Sequence, residues 1–255
     1  MFPEERRKAI LEALGLSGRV EVGTLAQRLG VSEVTIRQDL AFLEEHGRLR
    51  RTHGGAIPIE TGFELPFAFT ETANASEKAA IGRAAAAMIR NGETVFLDVG
   101  TTVTAVARAI SGRAGLTVAT NALNIAAILE NSPGINVIVT GGTLRAVQHS
   151  LVNPLGLEIL SRLRADRAFL GASGVEADAG VTNANLPEAE IKSAMMRYAR
   201  EKILVADGSK IGRIAAALVA PAADFDLLIT GETAPQSELD RLMQKGLAVR
   251  TVCLE

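Results

Sequence analysis

Two constellations in this sequence combine residue types and spacings that could do chemistry. The first is Asp98-Val99-Gly100-Thr101-Thr102, which follows the strand-like run Thr94-Val95-Phe96-Leu97 and leads into a helical pattern from Thr102 to Ile110. Free N–H groups at a helix start, a glycine that permits close approach and two hydroxyls make an anion cradle. The same residues also suit an ordinary helix start, and the segment is neither a P-loop nor a GxGxxG fingerprint. Further strand-like runs end in Thr120-Asn121, Gly141-Gly142, Gly171-x-x-Gly174 and Asp207-Gly208-Ser209-Lys210. Ligands of open α/β sheets bind at the carboxyl ends of strands, so small polar residues gathered there are candidates, although Gly and Asn are also common turn residues.

The second constellation lies near the N-terminus. Ser32 can cap a helix whose apolar positions Ile36, Leu40 and Leu43 fall at i, i+4 and i+7, which turns Glu33, Thr35, Arg37 and Gln38 outward. Arg can bridge a guanine edge, Gln an adenine edge, and Thr can reach a phosphate or a thymine methyl. Arg48, Arg50, Arg51 and His53 follow without an intervening acid and could neutralise phosphates without reading bases. A solvated helix face would have the same composition. Asp39 would be repelled by phosphate, so its expected role is to pair with a basic neighbour such as Arg37 or Arg51, and Arg51 is equally a structural ion-pair residue or a DNA contact.

The elements that position these groups divide the chain in three. Residues 1 to 47 read as three helices: one with Ile10, Leu11 and Leu14 as its stripe, a second capped by Thr24 and stopped by Gly30, and a third ended by Gly47. The tight turn at Gly30-Val31 makes the last two a helix-turn-helix. Arg48 to Ala56 reads as an extended wing, with Gly54 and Gly55 expected at positive φ in its turn. Residues 58 to 75 read as a linker, and Phe63, Phe67 and Phe69 predict that it docks on something. From residue 76 onward a helix around Ile81 to Ile89, ending at Asn91-Gly92, is followed by strand-like runs. These are Thr94–Leu97, Leu116–Thr120, Val137–Thr140, Arg167–Leu170, Ile203–Ala206 and Leu227–Thr230, with helices at Thr102–Ile110 and Leu186–Arg200. Strands alternating with helices predict a mostly parallel sheet covered on both faces.

The run Leu25-Ala26-x-x-Leu29-Gly30-Val31-Ser32-x-x-Thr35-Ile36-Arg37-x-Asp39-Leu40-x-x-Leu43-Glu44-x-x-Gly47-x-Leu49-x-Arg51-x-His53-Gly54-Gly55-Ala56 resembles the N-terminal signature of the DeoR/GlpR transcriptional regulators. The resemblance implies a winged helix-turn-helix that binds double-stranded operator DNA, usually as a repressor. Gln38 departs from it, standing where Arg or Lys is usual. Most of residues 76 to 255 is similar to the family's sensor domain, through Glu77-Lys78, Leu97-Asp98-x-Gly100-Thr101-Thr102, Thr120-Asn121, Gly141-Gly142, Asp166-x-x-Phe169-x-Gly171, Lys192 and Asp207-x-Ser209-Lys210. That resemblance implies a fold like the ribose-phosphate isomerases and coenzyme A transferases, and a phosphorylated sugar or related metabolite as effector. Gly100, Thr101 and Thr102 would hold the phosphate, Asp98 and Asn121 the sugar hydroxyls, and Lys192 or Lys210 would supply positive charge; Thr120, Gly141 and Gly142 complete the expected pocket. Lys192 could equally be a solvated surface lysine. Asn153-Pro154, Gly208 (where His is frequent) and Gly231 (where Asp is frequent) depart from the family pattern and predict a changed pocket.

Composition narrows the alternatives. The chain has 255 residues, 47% hydrophobic and 22% charged, an ordinary globular balance. A single cysteine, Cys253, excludes an internal disulfide framework. No run approaches the apolar length of a membrane helix; Arg83 and Arg90 interrupt the most alanine-rich stretch. The N-terminus has no signal-peptide pattern, so a soluble, cytoplasmic protein is expected. The net charge of −2 gives no global attraction to nucleic acid, and 4% aromatics with no Trp argue against reading single strands by stacking. His46, His53, His149 and Cys253 show no metal-ligand spacing, and no cofactor is implied. A sugar-phosphate isomerase with a vestigial DNA-binding head is the alternative; it would need a tuned carboxylate base, for which Glu188 and Glu190 near Lys192 are candidates, though both read as helix-surface acids. The expectation is an α/β protein that regulates transcription, not an enzyme. It has a winged helix-turn-helix over residues 1 to 57, a linker over 58 to 75 and an effector-sensing domain over 76 to 255, and it works as a homo-oligomer.

Overall fold

The computed structural model describes residues 2–17, 19–46, 48–57 and 67–253. It divides into two compact units, Met1–Ala73 and Asn74–Glu255. The first contains α1 (Pro3–Ser17), β1 (Val20–Glu21), α2 (Val22–Leu29), α3 (Glu33–Glu45), β2 (Arg50–Thr52), β3 (Gly55–Ile57) and α4 (Phe67–Thr72). Ile10, Leu11 and Leu14 of α1 pack with Leu25 of α2 and with Ile36, Leu40 and Leu43 of α3 in one buried cluster. Leu49 closes that cluster beneath the wing.

The helix boundaries differ from expectation at two places. Helix α2 begins at Val22 with Glu21 as its cap, because β1 runs straight into it; Thr24 therefore sits inside the first turn. Gly30 takes the left-handed conformation, φ 64°, that ends α2. Ser32 caps α3 as its sequence suggests, its hydroxyl accepting from the Thr35 N–H at 3.2 Å. Gly47 lies outside the described residues.

The wing is a three-stranded antiparallel sheet in the order β1-β3-β2. Neither Gly54 nor Gly55 adopts positive φ, which corrects the turn argument. Gly55 is needed for proximity: a Cβ there would stand 1.7 Å from the Val20 carbonyl oxygen. Of the expected linker, residues 58–66, including Phe63, lie outside the described residues, as does the Phe69 side chain. Phe67 is buried in α4, and Thr72 Oγ1 donates to Glu12 of α1 at 3.4 Å.

The second unit follows with α5 (Ala75–Ala86), β4 (Thr94–Leu97), α6 (Thr101–Ile110), β5 (Leu116–Thr120), α7 (Leu123–Leu129) and β6 (Ile135–Val139). Next come β7 (Thr143–Arg145), β8 (Ser150–Val152), α8 (Leu155–Ser161), β9 (Ala165–Leu170), β10 (Gly174–Glu176), β11 (Gly180–Asn183) and α9 (Leu186–Tyr198). The last elements are β12 (Ala199–Val205), β13 (Ala217–Ala220), β14 (Leu227–Gly231), α10 (Gln236–Gln244) and β15 (Ala248–Val252). Seven strands form a parallel sheet in the order β15-β14-β12-β9-β4-β5-β6. Successive strand residues face opposite layers. Val95 and Leu97, Val118, Phe169, Ile203 and Ile229 join the core with α5, α6 and α7. Phe96, Ala119, Ala168, Leu204 and Leu228 join the core on the other face with α9 and α10. Both faces are covered, which is why these strands read as continuous apolar runs.

The strand order also fixes where a crevice opens. From β4 the chain builds outward through β5 and β6, then returns to the other side of β4 at β9 and continues to β12, β14 and β15. The reversal lies between β4 and β9. A topological switch point of this kind leaves a crevice at the carboxyl ends of the two strands.

Candidate functional sites in the two units

Helix α3 exposes Glu33, Val34, Arg37 and Gln38, while Ile36, Asp39, Leu40 and Leu43 are buried. Arg37 is held by Glu33 at 2.6 Å, an exposed i,i+4 pair. Thr35 is only partly exposed, and its hydroxyl lies 2.9 Å from that of Ser32, so it serves the cap. In the wing Arg50, Arg51 and His53 are exposed and Arg48 is partly so. Arg51 donates to Glu44 from its backbone N–H (2.8 Å) and its Nε (2.7 Å), tying β2 to the end of α3. Those hydrogen bonds hold the Glu44 carboxyl below the usual range, the backbone one most strongly.

Asp39 pairs with neither Arg37 nor Arg51. Its carboxylate, 2% exposed, accepts from Arg6 Nε at 2.5 Å and Arg7 Nε at 2.9 Å, both from α1. Arg7 also lies 3.6 Å from the centroid of the Phe42 ring, which stacks on His46 at 4.0 Å. Asp39 therefore fixes the tilt of α3 on α1. The signal was present in the sequence: Asp39 interrupts the buried stripe of Ile36, Leu40 and Leu43, and an acid in an apolar stripe implies a buried partner.

In the second unit, Asp98 sits at the switch point, immediately after β4 and fully buried. Its Oδ2 accepts from the Gly171 N–H at 3.0 Å, bridging the ends of β4 and β9, and from Lys192 Nζ. Burial raises the Asp98 pKa, against the opposing pull of the Lys192 charge and hydrogen bond. Lys192 is 2% exposed, so the solvated-lysine alternative is excluded. Glu188, one turn earlier on α9, is likewise buried, which corrects its reading as a surface acid. It accepts from Arg145, from Ser150 Oγ at 2.5 Å and from Asn183 Nδ2 at 3.1 Å. Through Arg145 of β7 and Ser150 of β8, the carboxylate is a tether that fastens the β7–β8 hairpin to α9. Glu190 accepts from Asn153 Nδ2.

Gly100 caps α6 with φ 133° and ψ 155°, a conformation open to glycine, and no described atom lies within 4 Å of where a Cβ would stand. Its carbonyl accepts from the Thr104 N–H (2.8 Å) and Thr104 Oγ1 (2.9 Å), and Asn124 Nδ2 donates to that hydroxyl at 2.9 Å. The relay fixes the first turn of α6, whose N–H groups have no partner within the helix. After β5, Thr120 Oγ1 accepts from the Ala122 N–H at 3.1 Å and Asn121 Nδ2 donates to the Leu151 carbonyl at 3.2 Å. Asp98 Oδ1 and Asn121 Oδ1 are buried and accept no hydrogen bond from the described residues. Buried acceptors left unmet in this way call for a donor. Gly141 and Gly142 both have positive φ, and a Cβ on Gly142 would stand 2.2 Å from the Val152 carbonyl oxygen, so Gly142 closes the β7–β8 hairpin.

Lys210 belongs to a different cluster, on the turn Gly208–Lys210 after β12. Burial lowers its pKa, Asp207 opposes that and Arg213 adds to it. Asp207 accepts from Ser209 Oγ at 2.5 Å and Asn74 Nδ2 at 2.9 Å, with Lys78 Nζ at 4.0 Å. Burial alone would raise the Asp207 pKa, but Lys210, Ser209, Lys78 and Asn74 hold it below the ordinary 3.8. A carboxyl with a depressed pKa contributes stability above its unfolded value that is lost as pH falls through the folded one. Acid unfolding followed below pH 3.8 tests this: the stability advantage of the wild type over Asp207→Asn should shrink steadily. A constant difference between the two proteins would show that the charge of Asp207 contributes nothing.

Gly208 and Gly231, two of the departures from the family pattern, pack around buried Glu77. Glu77 Oε1 accepts from the Gly208 N–H and from Thr233 Oγ1, both at 2.9 Å. A Cβ on Gly231 would stand 1.9 Å from Glu77 Oε1, and one on Gly208 2.2 Å from Thr233 Oγ1. These glycines answer to local packing around Glu77. Among the described residues no group of three or more His, Cys, Asp or Glu side chains could hold a metal ion.

A doubly covered parallel sheet with a switch point in the second unit, and a winged helix-turn-helix with a charged outer face in the first, define the class: a helix-turn-helix DNA-binding protein that carries an α/β domain. Residues 6–61 match the family model of the DeoR-like helix-turn-helix domain and residues 73–232 that of the DeoR C terminal sensor domain. The HTH-type transcriptional regulator GolR of Listeria innocua is 33% identical over 98% of this chain and 99% of its own length. The glycerol-3-phosphate regulon repressor of Escherichia coli is 32% identical over 95% of this chain and 96% of its own. A ribose 5-phosphate isomerase A from Methanocaldococcus jannaschii is similar to 54% of this chain and covers 55% of its own, at 16% identity and a TM-score of 0.42. The chain belongs to the DeoR family of transcriptional regulators. It is a DNA-binding regulator and not a sugar-phosphate isomerase. Among the described residues no helix is long and apolar enough to cross a membrane.

Proposed function

We propose that this regulator represses a carbohydrate-catabolic operon from the cytoplasm, and that a phosphorylated sugar or related metabolite bound at the β4/β9 crevice changes its hold on operator DNA. The observation that carries the effector reading is the Asp98–Gly171–Lys192 bridge at the switch point, next to the Gly100 cap of α6. A phosphate suits the N–H groups of Thr101 and Thr102, and sugar hydroxyls suit the unmet Asp98 Oδ1 and Asn121 Oδ1. The name of the glycerol-3-phosphate relative points to the same ligand class. On the DNA side, Glu33, Arg37 and Gln38 face the major groove from α3, and Arg48, Arg50, Arg51 and His53 lie along the phosphates. Ser32 and Thr35 fix the start of the helix. Two copies would place paired heads on half-sites separated by about one helical turn or a multiple of it.

The test is a thermal-shift screen of the full chain against phosphorylated sugars and their free counterparts. A ligand at about 100 times its dissociation constant adds about 2.7 kcal/mol. The expected result is stabilisation by one phosphorylated form and not by its free sugar, with a matching change in operator affinity. Equal stabilisation by the free sugar, or none across a broad panel, would overturn the phosphate assignment.

A further inference from the structure

The reading face of α3 contains one residue that polar recognition does not account for. Glu33, Val34, Arg37 and Gln38 are exposed at i, i+1, i+4 and i+5, and Val34 is 60% exposed among three polar neighbours. Phe42, the other large exposed apolar residue of α3, is covered by the Arg7 guanidinium and the His46 ring. Val34 stands at the other end of the helix, in the first turn, where recognition helices contact base edges. Helix propensity does not favour it, since a β-branched residue is a weaker helix former than Ala, Glu or Lys.

We propose that Val34 is a specificity-determining residue that packs on a thymine methyl, and that with Gln38 it makes this part of α3 select A·T pairs. Valine offers neither donor nor acceptor, and the apolar group that a base pair presents in the major groove is the thymine C5-methyl. Gln38 lies four residues on, one turn along the same face, and its carboxamide matches the N6 and N7 edge of adenine. Arg37, beside them, is the guanine-competent side chain, and it is engaged by Glu33 at 2.6 Å. Gln38 therefore works with Val34 toward one kind of base pair.

The experiment starts from the operator that the full-length chain selects out of random duplex DNA. Each thymine of a half-site is then replaced singly by deoxyuridine, which removes the methyl and leaves every hydrogen-bonding group in place. The wild type should lose about fourfold in affinity at one position, the worth of one buried methyl. Val34→Ala should bind the thymine operator about fourfold more weakly and show no further loss with deoxyuridine at that position. Gln38→Ala should keep the methyl sensitivity and lose its preference for adenine at a neighbouring pair. Circular dichroism melts check that Val34→Ala, an exposed change to a better helix former, stays folded. A selected operator on which no deoxyuridine substitution matters, or a Val34→Ala protein that keeps the full deoxyuridine loss, overturns the proposal and leaves DNA binding intact. Failure to select any sequence over random DNA would instead refute base reading by α3 altogether, and this proposal with it.

Discussion

Replacing Lys192 by methionine should destabilise the second unit by about 3 to 5 kcal/mol and abolish its response to effector. The variant leaves the Asp98 carboxylate buried without its cation, and breaking a buried pair from one side carries that cost. The expected measurement is a denaturant melt of the full chain in which the transition of the second unit moves and that of the first does not. Asp98→Asn in the Lys192→Met background should recover much of the loss, because the double variant no longer buries an unpaired charge. The pH dependence gives an independent check. Burial raises the Asp98 pKa and Lys192 opposes that rise. A carboxyl with a raised folded pKa contributes stability below its unfolded value that is lost as pH rises through the folded one. Removing Lys192 should widen that window upward from 3.8, so the variant should become steadily less stable toward neutral pH relative to wild type. A loss below about 0.5 kcal/mol, the scale of an ordinary surface substitution, would show that the pair is not a buried one in solution.

Asp39→Ala should have a comparable effect on the first unit and an opposite functional signature. Asp39→Ala removes the buried carboxylate that ties both Arg6 and Arg7 of α1 to α3, again at a cost of about 3 to 5 kcal/mol. A unit of this size has a total stability of roughly 4 to 11 kcal/mol, so the substitution should remove a large part of it. Operator affinity should collapse while stabilisation of the second unit by effector is unchanged. Asp39→Asn, which keeps an acceptor for one arginine, should fall in between. Wild-type operator binding by Asp39→Ala would mean that the tilt of α3 is set elsewhere.

The sequence made the framework legible wherever periodicity ran long enough. Ile36, Leu40 and Leu43 at i, i+4 and i+7 correctly outlined α3, and the apolar runs at Thr94–Leu97 and Leu116–Thr120 are β4 and β5 to the residue. The β7–β8 hairpin and the small antiparallel sheet of β10, β11 and β13 are not legible, because most of these strands interrupt their few residues with glycine or polar side chains, whereas the equally short β4 is marked by the unbroken Val95-Phe96-Leu97. The edge strand β15 is not legible because the exposed Arg250 and Thr251 break its apolar run. At the site, the strand-end residues were visible as types, but their roles depended on distant partners. Lys192 is surface-like by composition, and its burial follows from Asp98, 94 residues away. Glu188 is similar, its donors coming from β8, from Arg145 and from Asn183. Lys210 went the other way, since the sheet order puts its turn after β12, beside Asp207, with β9 between that strand and β4.

The packing around Glu77 couples positions 208 and 231. A side chain at 231 would displace Glu77, and the Gly208 N–H and the Thr233 hydroxyl would then lose their shared acceptor. One at 208 would strike Thr233 and the backbone N–H of Ala234, at 2.2 Å and 2.5 Å. A side chain at either position is therefore blocked by a partner of the other, since Glu77 accepts from the Gly208 N–H and Ala234 donates to the Gly231 carbonyl. A side chain can enter at 208 or 231 only if Glu77, Thr233 and Ala234 move, so the two glycines act as one packing unit.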